Sequence, residues 1–305
     1  LALSPNLRGC LLMVIGMAGF TINDAISKAV LHHMSFGQVI LVRGIFAFIL
    51  IVAFSWQQGA MRPLRVLMQK PVALRVGGEV CGTVMFLAAI VHLPLANIAA
   101  IMQALPLAIT LGAAVVLAEP VGWRRWTAIA AGFTGVLIIV RPGAEGFNQF
   151  SILALIAVVF YTVRDLATKK IASEIPSLFI TLLTTLMVTL TGAAMLLPLG
   201  GWSPMSGRDT GLLALAAVLL LVGYHCVIMA LRIGELSAVA PFRYTALLWA
   251  IMLGYVAFGE IPDTMMIVGA SIIVASGLYA FHRERLRHRQ RTIGQGVSRL
   301  SLDGL

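Results

Sequence analysis

The sequence predicts an all-α integral membrane protein of ten transmembrane helices, built from two inverted five-helix repeats, and three observations carry that expectation. Of the 305 residues, 60% are hydrophobic and 11% charged, with mean hydropathy +0.97, against roughly 25% charged in ordinary soluble domains. Apolar stretches near the roughly 20 residues that a helix needs to cross hydrocarbon recur ten times. The motif FTINDAISK at Phe20 to Lys28 returns as YTVRDLATK at Tyr161 to Lys169, so that Thr21, Asp24 and Lys28 recur as Thr162, Asp165 and Lys169 at an offset of 141.

The ten spans fall near 8–31, 37–56, 73–92, 96–118, 124–140, 150–168, 177–197, 210–231, 239–258 and 264–282. Breaks coincide with turn chemistry: Gly59 to Pro63, Pro94, Pro120 to Gly122, Pro142 to Gly146, Pro176, Gly200 to Pro204 and Gly259 to Pro262. The weakest boundary is HLPLA, between the third and fourth spans. Pro106 within the fourth span and Pro241 opening the ninth interrupt backbone bonding; they read equally as hinges or as static kinks. The first stretch lacks a basic region followed by a short apolar core and a small-residue cleavage site, so it reads as a retained span. Cys10, Cys81 and Cys226 all lie within spans and read as packing residues, not as a disulfide framework.

Lys and Arg in the connections set the orientation. One set of span ends carries Arg8, Arg62, Arg65, Lys70, Arg75, Arg124, Arg125, Lys169, Lys170, Arg232 and the six arginines of the tail, while the other carries Arg141 and Arg208. This bias predicts both termini in the cytoplasm, which requires an even number of spans. The 283–305 tail, arginine-rich and then Gly/Ser-rich, reads as a solvated basic segment in reach of anionic lipid.

The offset of 141 continues through Gly82 with Gly223, Leu107 with Leu248, and Glu119 with Glu260, before one inserted residue aligns Pro120 with Pro262 and Gly135 with Gly277. The units are therefore 7–142 and 149–282. Five spans per unit force the two into opposite orientations, the pattern of secondary transporters that alternate access to a site near the midplane.

The sparse polar groups inside the spans are the candidates for chemistry. Toward the outside lie Asn23, Asp24, Arg43 and Gln103; toward the inside lie Glu79, Arg164, Asp165, His225, Arg243 and Tyr244. Each side has acid and base at matching depth, so Asp24 with Arg43, and Glu79 or Asp165 with Arg164 or Arg243, are expected to act as alternating gates. Permanent bridging is the competing reading, and for Glu79 an exposed pair with Arg75 one turn earlier. Asp24 and Lys28, four apart, could instead pair along one helix face. For the substrate cavity, Thr83 and Tyr224 are repeat equivalents near mid-span, as are Gln103 and Tyr244; Phe86 and Trp249 add aromatic surface. Amide, hydroxyl and aromatic groups suit a zwitterionic cargo that must also be released, while each aromatic could equally face lipid or pack between helices. Asp24, Glu79, Asp165 and His225 are the plausible proton carriers if protons are the coupling ion. Glu119 and Glu260 sit in turns and are expected to accept hydrogen bonds from the amides opening the next helix.

The stretch LPLAITLGAAVVLAEPVGWRRWTAIAAGFTGVLIIVRP, Leu105 to Pro142, resembles the end of an EamA-type domain of the drug/metabolite transporter superfamily. PFRYTALLWAIMLGYVAFGEIPDTMMIVGASIIVASGLYAF, Pro241 to Phe281, resembles the same end of a second copy. The whole is most similar to ten-helix amino acid exporters of the YddG type. That resemblance implies a cavity lined by spans one to four and six to nine, with spans five and ten as lateral supports.

The expected function is secondary transport across the bacterial inner membrane by alternating access, and the resemblance implies export of amino acids, aromatic ones among them. The nearest alternative is a nucleotide-linked or vitamin-like metabolite; a channel is a more distant one. No phosphate loop, HExxH or GxSxG motif is present, so ATP hydrolysis and the familiar hydrolase mechanisms are not expected. No cofactor, metal or nucleic acid partner is implied; the expected partners are a small-molecule substrate and the lipid bilayer, with protons added if the cycle is proton-coupled.

Overall fold

Apolar segments bounded by Gly, Pro and Ser become helices because every backbone polar group in hydrocarbon must be satisfied within its own segment. The computed structural model describes residues 4–59, 62, 64–116, 118, 122–141, 148–172, 174–234, 239–280 and 282. Among these residues there is no strand. Glu119, Pro120 and the basic tail from Arg283 lie outside the described residues.

The helices are α1 (Pro5–Leu31), α2 (Phe36–Gln57), α3 (Lys70–Ile90), α4 (Leu95–Met102), α5 (Leu105–Val116), α6 (Trp123–Val140), α7 (Phe150–Thr168), α8 (Ser177–Leu196), α9 (Gly207–Ile233) and α10 (Thr245–Phe258), followed by α11 (Thr264–Ala280). Among the described residues eight segments are long and apolar enough to cross a membrane, and two shorter apolar helices make up the ten. The fourth span is interrupted: α4 ends at Met102 and α5 starts at Leu105, because Pro106 has no amide to continue the ladder. The ninth span opens on a 3-10 turn, Ala240–Tyr244, around Pro241. Both prolines therefore break their helices, as the sequence led us to expect.

Local chemistry fixes the ends. Ser4 caps α1 by accepting the Leu7 amide, with Pro5 in the first turn. Ser206 and Asp209 form a reciprocal capping box on α9. Gly259 ends α10 with φ 65°, and the Glu260 amide turns back to the Gly254 carbonyl at 2.9 Å, a left-handed stop that glycine adopts without a Cβ penalty. Within the spans, Thr21, Thr162 and Thr184 return their hydroxyls to the carbonyl four residues earlier, so these polar residues are satisfied inside their own helices.

The bundle is assembled across the two repeats. α1 packs along α9, its repeat counterpart α7 packs along α3, and α2 packs along α8. Matched positions make matched contacts: a Cβ on Gly82 would lie 2.6 Å from the Tyr161 ring, and one on Gly223 would lie 2.8 Å from the Phe20 ring. Both the glycines and the aromatics are related by the offset of 141, so the seam carries the duplication in its packing. α6 and α11 cross with Gly135 against the Gly269 carbonyl, the close backbone approach that small residues permit in membranes.

Glu260 behaves differently from its expected role. It does not cap the following helix; Asp263 does, accepting the Met266 amide at 2.7 Å. Glu260 instead accepts the Leu95 amide at 2.6 Å and pairs with Lys28, whose ammonium also donates to the Leu93 carbonyl at 2.6 Å. Lys28 thus does not form the within-helix pair with Asp24 that the spacing allowed. At 4% exposure it is buried and ties α1 to the α3–α4 turn and to the end of α10.

This clamp lies at the end of the bundle opposite the N-terminus, here the far face. The same face is tied by His33 with Asp209 at 3.0 Å, Ser35 with the Gly201 carbonyl, the Gln38 amide group with Ser203, and Arg141 with Asp263. Beneath these ties sits the largest apolar cluster, including Val30, Leu87, Ile90, Ile98, Leu213 and Ile273.

Candidate functional site

A cavity of about 590 Å³ lies between the repeats, within the range of small-molecule sites. Its lining comes from α1, α2, α3, α7, α8 and α9. Near the far face the lining is buried, with Ile40 0%, Leu87 1% and Asn23 3% exposed; near the N-terminal face Phe54 and Ile228 are 53% and 51% exposed. The cavity is therefore closed beneath the far-face ties and opens toward the N-terminal face.

Of the residues singled out in the sequence, Asn23, Asp24, Arg43, Glu79, Thr83, Phe86, Arg164, Tyr224 and His225 border this space. Gln103, Asp165, Arg243, Tyr244 and Trp249 are not part of its lining. The fourth span turns Leu95, Ile98 and Ile101 into the core, and Gln103 donates to the Arg243 carbonyl at 3.4 Å. Tyr244 lies over Gly277, where its hydroxyl leaves no room for a Cβ. Trp249 packs on the cluster formed by Cys10, Met13, Met17, Ala230 and Val239. No described residue of spans four and nine is part of the lining of this cavity, whereas the resemblance implies that both spans line it. Ala128 is 3% exposed, and Gly132 fits against Leu107 and Ser276.

The closed end is built on α1 and α2. Arg43 Nη1 donates to Asn23 Oδ1 at 3.3 Å and to Ser27 Oγ at 3.1 Å, and Asn23 Nδ2 donates to Asp24 Oδ1 at 3.0 Å. The expected Asp24 to Arg43 pair is not made directly in this structure: the Asn23 amide stands between the two charges.

Toward the open end the charges are paired. Arg164 donates to Asp165 at 2.6 and 3.1 Å and to Glu79 at 3.1 Å, while Arg75 reaches the same Glu79 oxygen at 3.0 Å. The two readings of Glu79, with Arg164 or with Arg75, are thus realised together. The Arg164 guanidinium also lies 4.6 Å from the Tyr161 ring centroid, a cation–π contact.

Between the ends, Phe86, Tyr161 and Tyr224 supply aromatic surface, and Tyr224 meets Phe20 edge to face at 5.0 Å between centroids. Sequence reasoning passed over Tyr161, although it opens the repeated motif one turn before Arg164. It also passed over Thr184, the repeat counterpart of Arg43. Among the described residues no cluster of three or more His, Cys, Asp or Glu could hold a metal ion, and Cys10, Cys81 and Cys226 form no disulfide.

Comparison with known proteins agrees with this architecture. A riboflavin transporter of Vibrio cholerae is 29% identical over 289 residues, covering 93% of this chain and 96% of its own length. An S-adenosylmethionine uptake transporter of Rickettsia prowazekii is 25% identical with the same coverage. A pseudopaline exporter of Pseudomonas aeruginosa is 23% identical, covering 88% of this chain and 94% of its own length. A solved crystal structure superposes with TM-score 0.59 at 15% identity, covering 88% of this chain and 96% of the other, which supports the fold alone. The EamA-like transporter family matches residues 7–141 and again 150–281. Both halves being matched, the protein belongs to the EamA-like transporter family and is a membrane transporter.

Proposed function

We propose that the protein is a secondary transporter of the bacterial inner membrane that exports a small ring-bearing metabolite with a polar head, an aromatic amino acid in the first reading. The observation that carries this is the central cavity, ringed by Phe86, Tyr161 and Tyr224 and bordered by charges of both signs. Aromatic side chains offer a surface for a flat ring, and the charged ends offer donors and acceptors for the head. The opening toward the N-terminal face supports loading from the cytoplasm, given the arginine bias of that face. In this cycle the far-face ties and the Glu79 to Arg164 cluster are the elements that exchange partners as access alternates.

Three arginines, Arg43, Arg75 and Arg164, border the cavity against two acids, Asp24 and Glu79. That balance disfavours a substrate of net positive charge, because like charges in a low-dielectric site repel strongly. S-adenosylmethionine is therefore a weaker fit than a zwitterion or a neutral ring compound. The second reading is riboflavin, favoured by a cavity larger than one amino acid requires and by the Vibrio cholerae relative. If the cycle is coupled to protons, Asp24, Glu79 and His225 are the cavity groups that can carry them.

The test is uptake by the purified protein in liposomes against a panel of amino acids, riboflavin and S-adenosylmethionine, with and without a pH gradient. Saturable counterflow of tryptophan or phenylalanine supports the first reading. Movement of riboflavin alone replaces it with the second, and flux that never saturates points to a channel.

A further inference from the structure

The two ends of the cavity handle charge in opposite ways, and the difference points to where a substrate's own charges go. At the open end, Arg164 is bonded to Asp165 and to Glu79. Elsewhere, buried Lys28 has Glu260, and buried Asp209 has His33 and Ser206. Buried charge in proteins is tolerated when it is paired. Arg43, only 9% exposed, is the exception among the described residues, since its hydrogen-bond acceptors are the neutral Asn23 amide and Ser27 hydroxyl.

Both contacts use Nη1, whereas a guanidinium carries five N–H donors in a fixed fork. The described polar side-chain atoms that are buried without a partner are Ser55 Oγ and Arg141 Nε. Arg43 Nε and Nη2 make no hydrogen bond to the described residues and are not among these fully buried atoms, and Arg43 borders the cavity. Asp24 borders the same space, with one carboxylate oxygen receiving Asn23 Nδ2 and the other making no hydrogen bond to the described residues. Asn23, itself 3% exposed, bonds to both and holds the cation and the anion apart.

We propose that this closed end is a receptor for an α-amino acid group: the free fork of Arg43 takes the substrate carboxylate, the free oxygen of Asp24 takes its ammonium, and Asn23 is the spacer that keeps both available. The inference rests on the transport of an amino acid proposed above and assigns the residues that read it. Arg43 and Asp24 thereby become binding residues instead of a gate that closes on itself. The side chain of the substrate extends toward Phe86, Tyr161 and Tyr224.

The test is equilibrium binding to the full-length protein in lipid nanodiscs, with L-tryptophan, tryptamine, indole-3-propionate and riboflavin as probes. Tryptamine lacks the carboxylate and indole-3-propionate lacks the ammonium. The native protein should bind tryptophan about 10- to 100-fold more tightly than either, the span of one charge-assisted hydrogen bond. Arg43→Gln should erase the advantage over tryptamine and keep that over indole-3-propionate; Asp24→Asn should do the reverse. If Arg43→Gln fails to fold, Arg43→Lys keeps the charge without the fork and should weaken tryptophan several-fold with tryptamine unchanged.

Tryptophan binding with unaltered probe ratios, or equal weakening of all the indole probes, overturns the receptor alone and returns Arg43 to a structural or gating role. Binding of riboflavin with none of the indole compounds overturns the amino acid reading and the receptor together.

Discussion

Replacing Lys28 with methionine preserves most of the side-chain volume and removes the charge, which isolates the clamp on the far face. In the structure Lys28 is 4% exposed, pairs with Glu260 and donates to the Leu93 carbonyl, while Glu260 accepts the Leu95 amide. The Phe258 ring lies 5.0 Å from the ammonium, so the cation has an aromatic face as well as an anion. Lys28→Met leaves the Glu260 carboxylate with one amide donor and no cation, for an expected loss of about 3–5 kcal/mol. Lys28→Met/Glu260→Gln removes both charges and retains an acceptor for Leu95, so the loss should fall to about 1–2 kcal/mol, the scale of ordinary hydrogen bonds. The assay is denaturant unfolding of the purified single and double variants, read as a double-mutant cycle. A double variant as unstable as the sum of the singles would refute the coupling. A Lys28→Met protein within about 0.5 kcal/mol of the native one would mean that the ammonium reaches water instead of Glu260.

Three further outcomes are expected. Gly135→Ala puts a Cβ 2.7 Å from the Gly269 carbonyl and should cost about 1–3 kcal/mol by overpacking; Gly77→Ala, where nothing lies within 4 Å, should be neutral or stabilising in the same thermal melt. Glu79→Gln should lose about 1–3 kcal/mol in denaturant unfolding without collapse, because Arg164 keeps both contacts to Asp165. The Met266 amide, helped by Arg141, holds the Asp263 carboxyl below the usual carboxylate range. A depressed folded pKa means that its stabilisation is present above the unfolded aspartate range, near pH 4, and is lost as pH falls through the folded value. Asp263→Asn should therefore flatten the acid limb of the stability profile measured by melting temperature.

Span number and repeat order were legible because hydropathy and a fixed offset are properties of the chain itself. The same offset even identifies the Gly82 to Tyr161 and Gly223 to Phe20 contacts once the seam is known. What sequence could not supply was rotation about each helix axis. Gln103 and Tyr244 occupy equivalent places in the two repeats yet do not line the central cavity; on the fourth span Leu95, Ile98 and Ile101 take the inward face. Partner choice was hidden for a related reason. Lys28 had Asp24 one turn away, but pairing with Glu260, 232 positions later, also satisfies the Leu93 carbonyl and the Leu95 amide, which a local pair would leave open. The Asn23 bridge was equally invisible, since spacing alone suggested that Asp24 and Arg43 would meet.

The duplicated seam also bears on how the two conformers are weighted. If each half adopts the other's shape when access reverses, identical halves would give two states of equal energy. These halves are not identical where it matters: Asn23 stands against Arg164, Arg43 against Thr184, and Phe20 against Tyr161. Under such an exchange, differences of this kind along the seam, and not the shared helix order, would set which of the two states is the lower in energy.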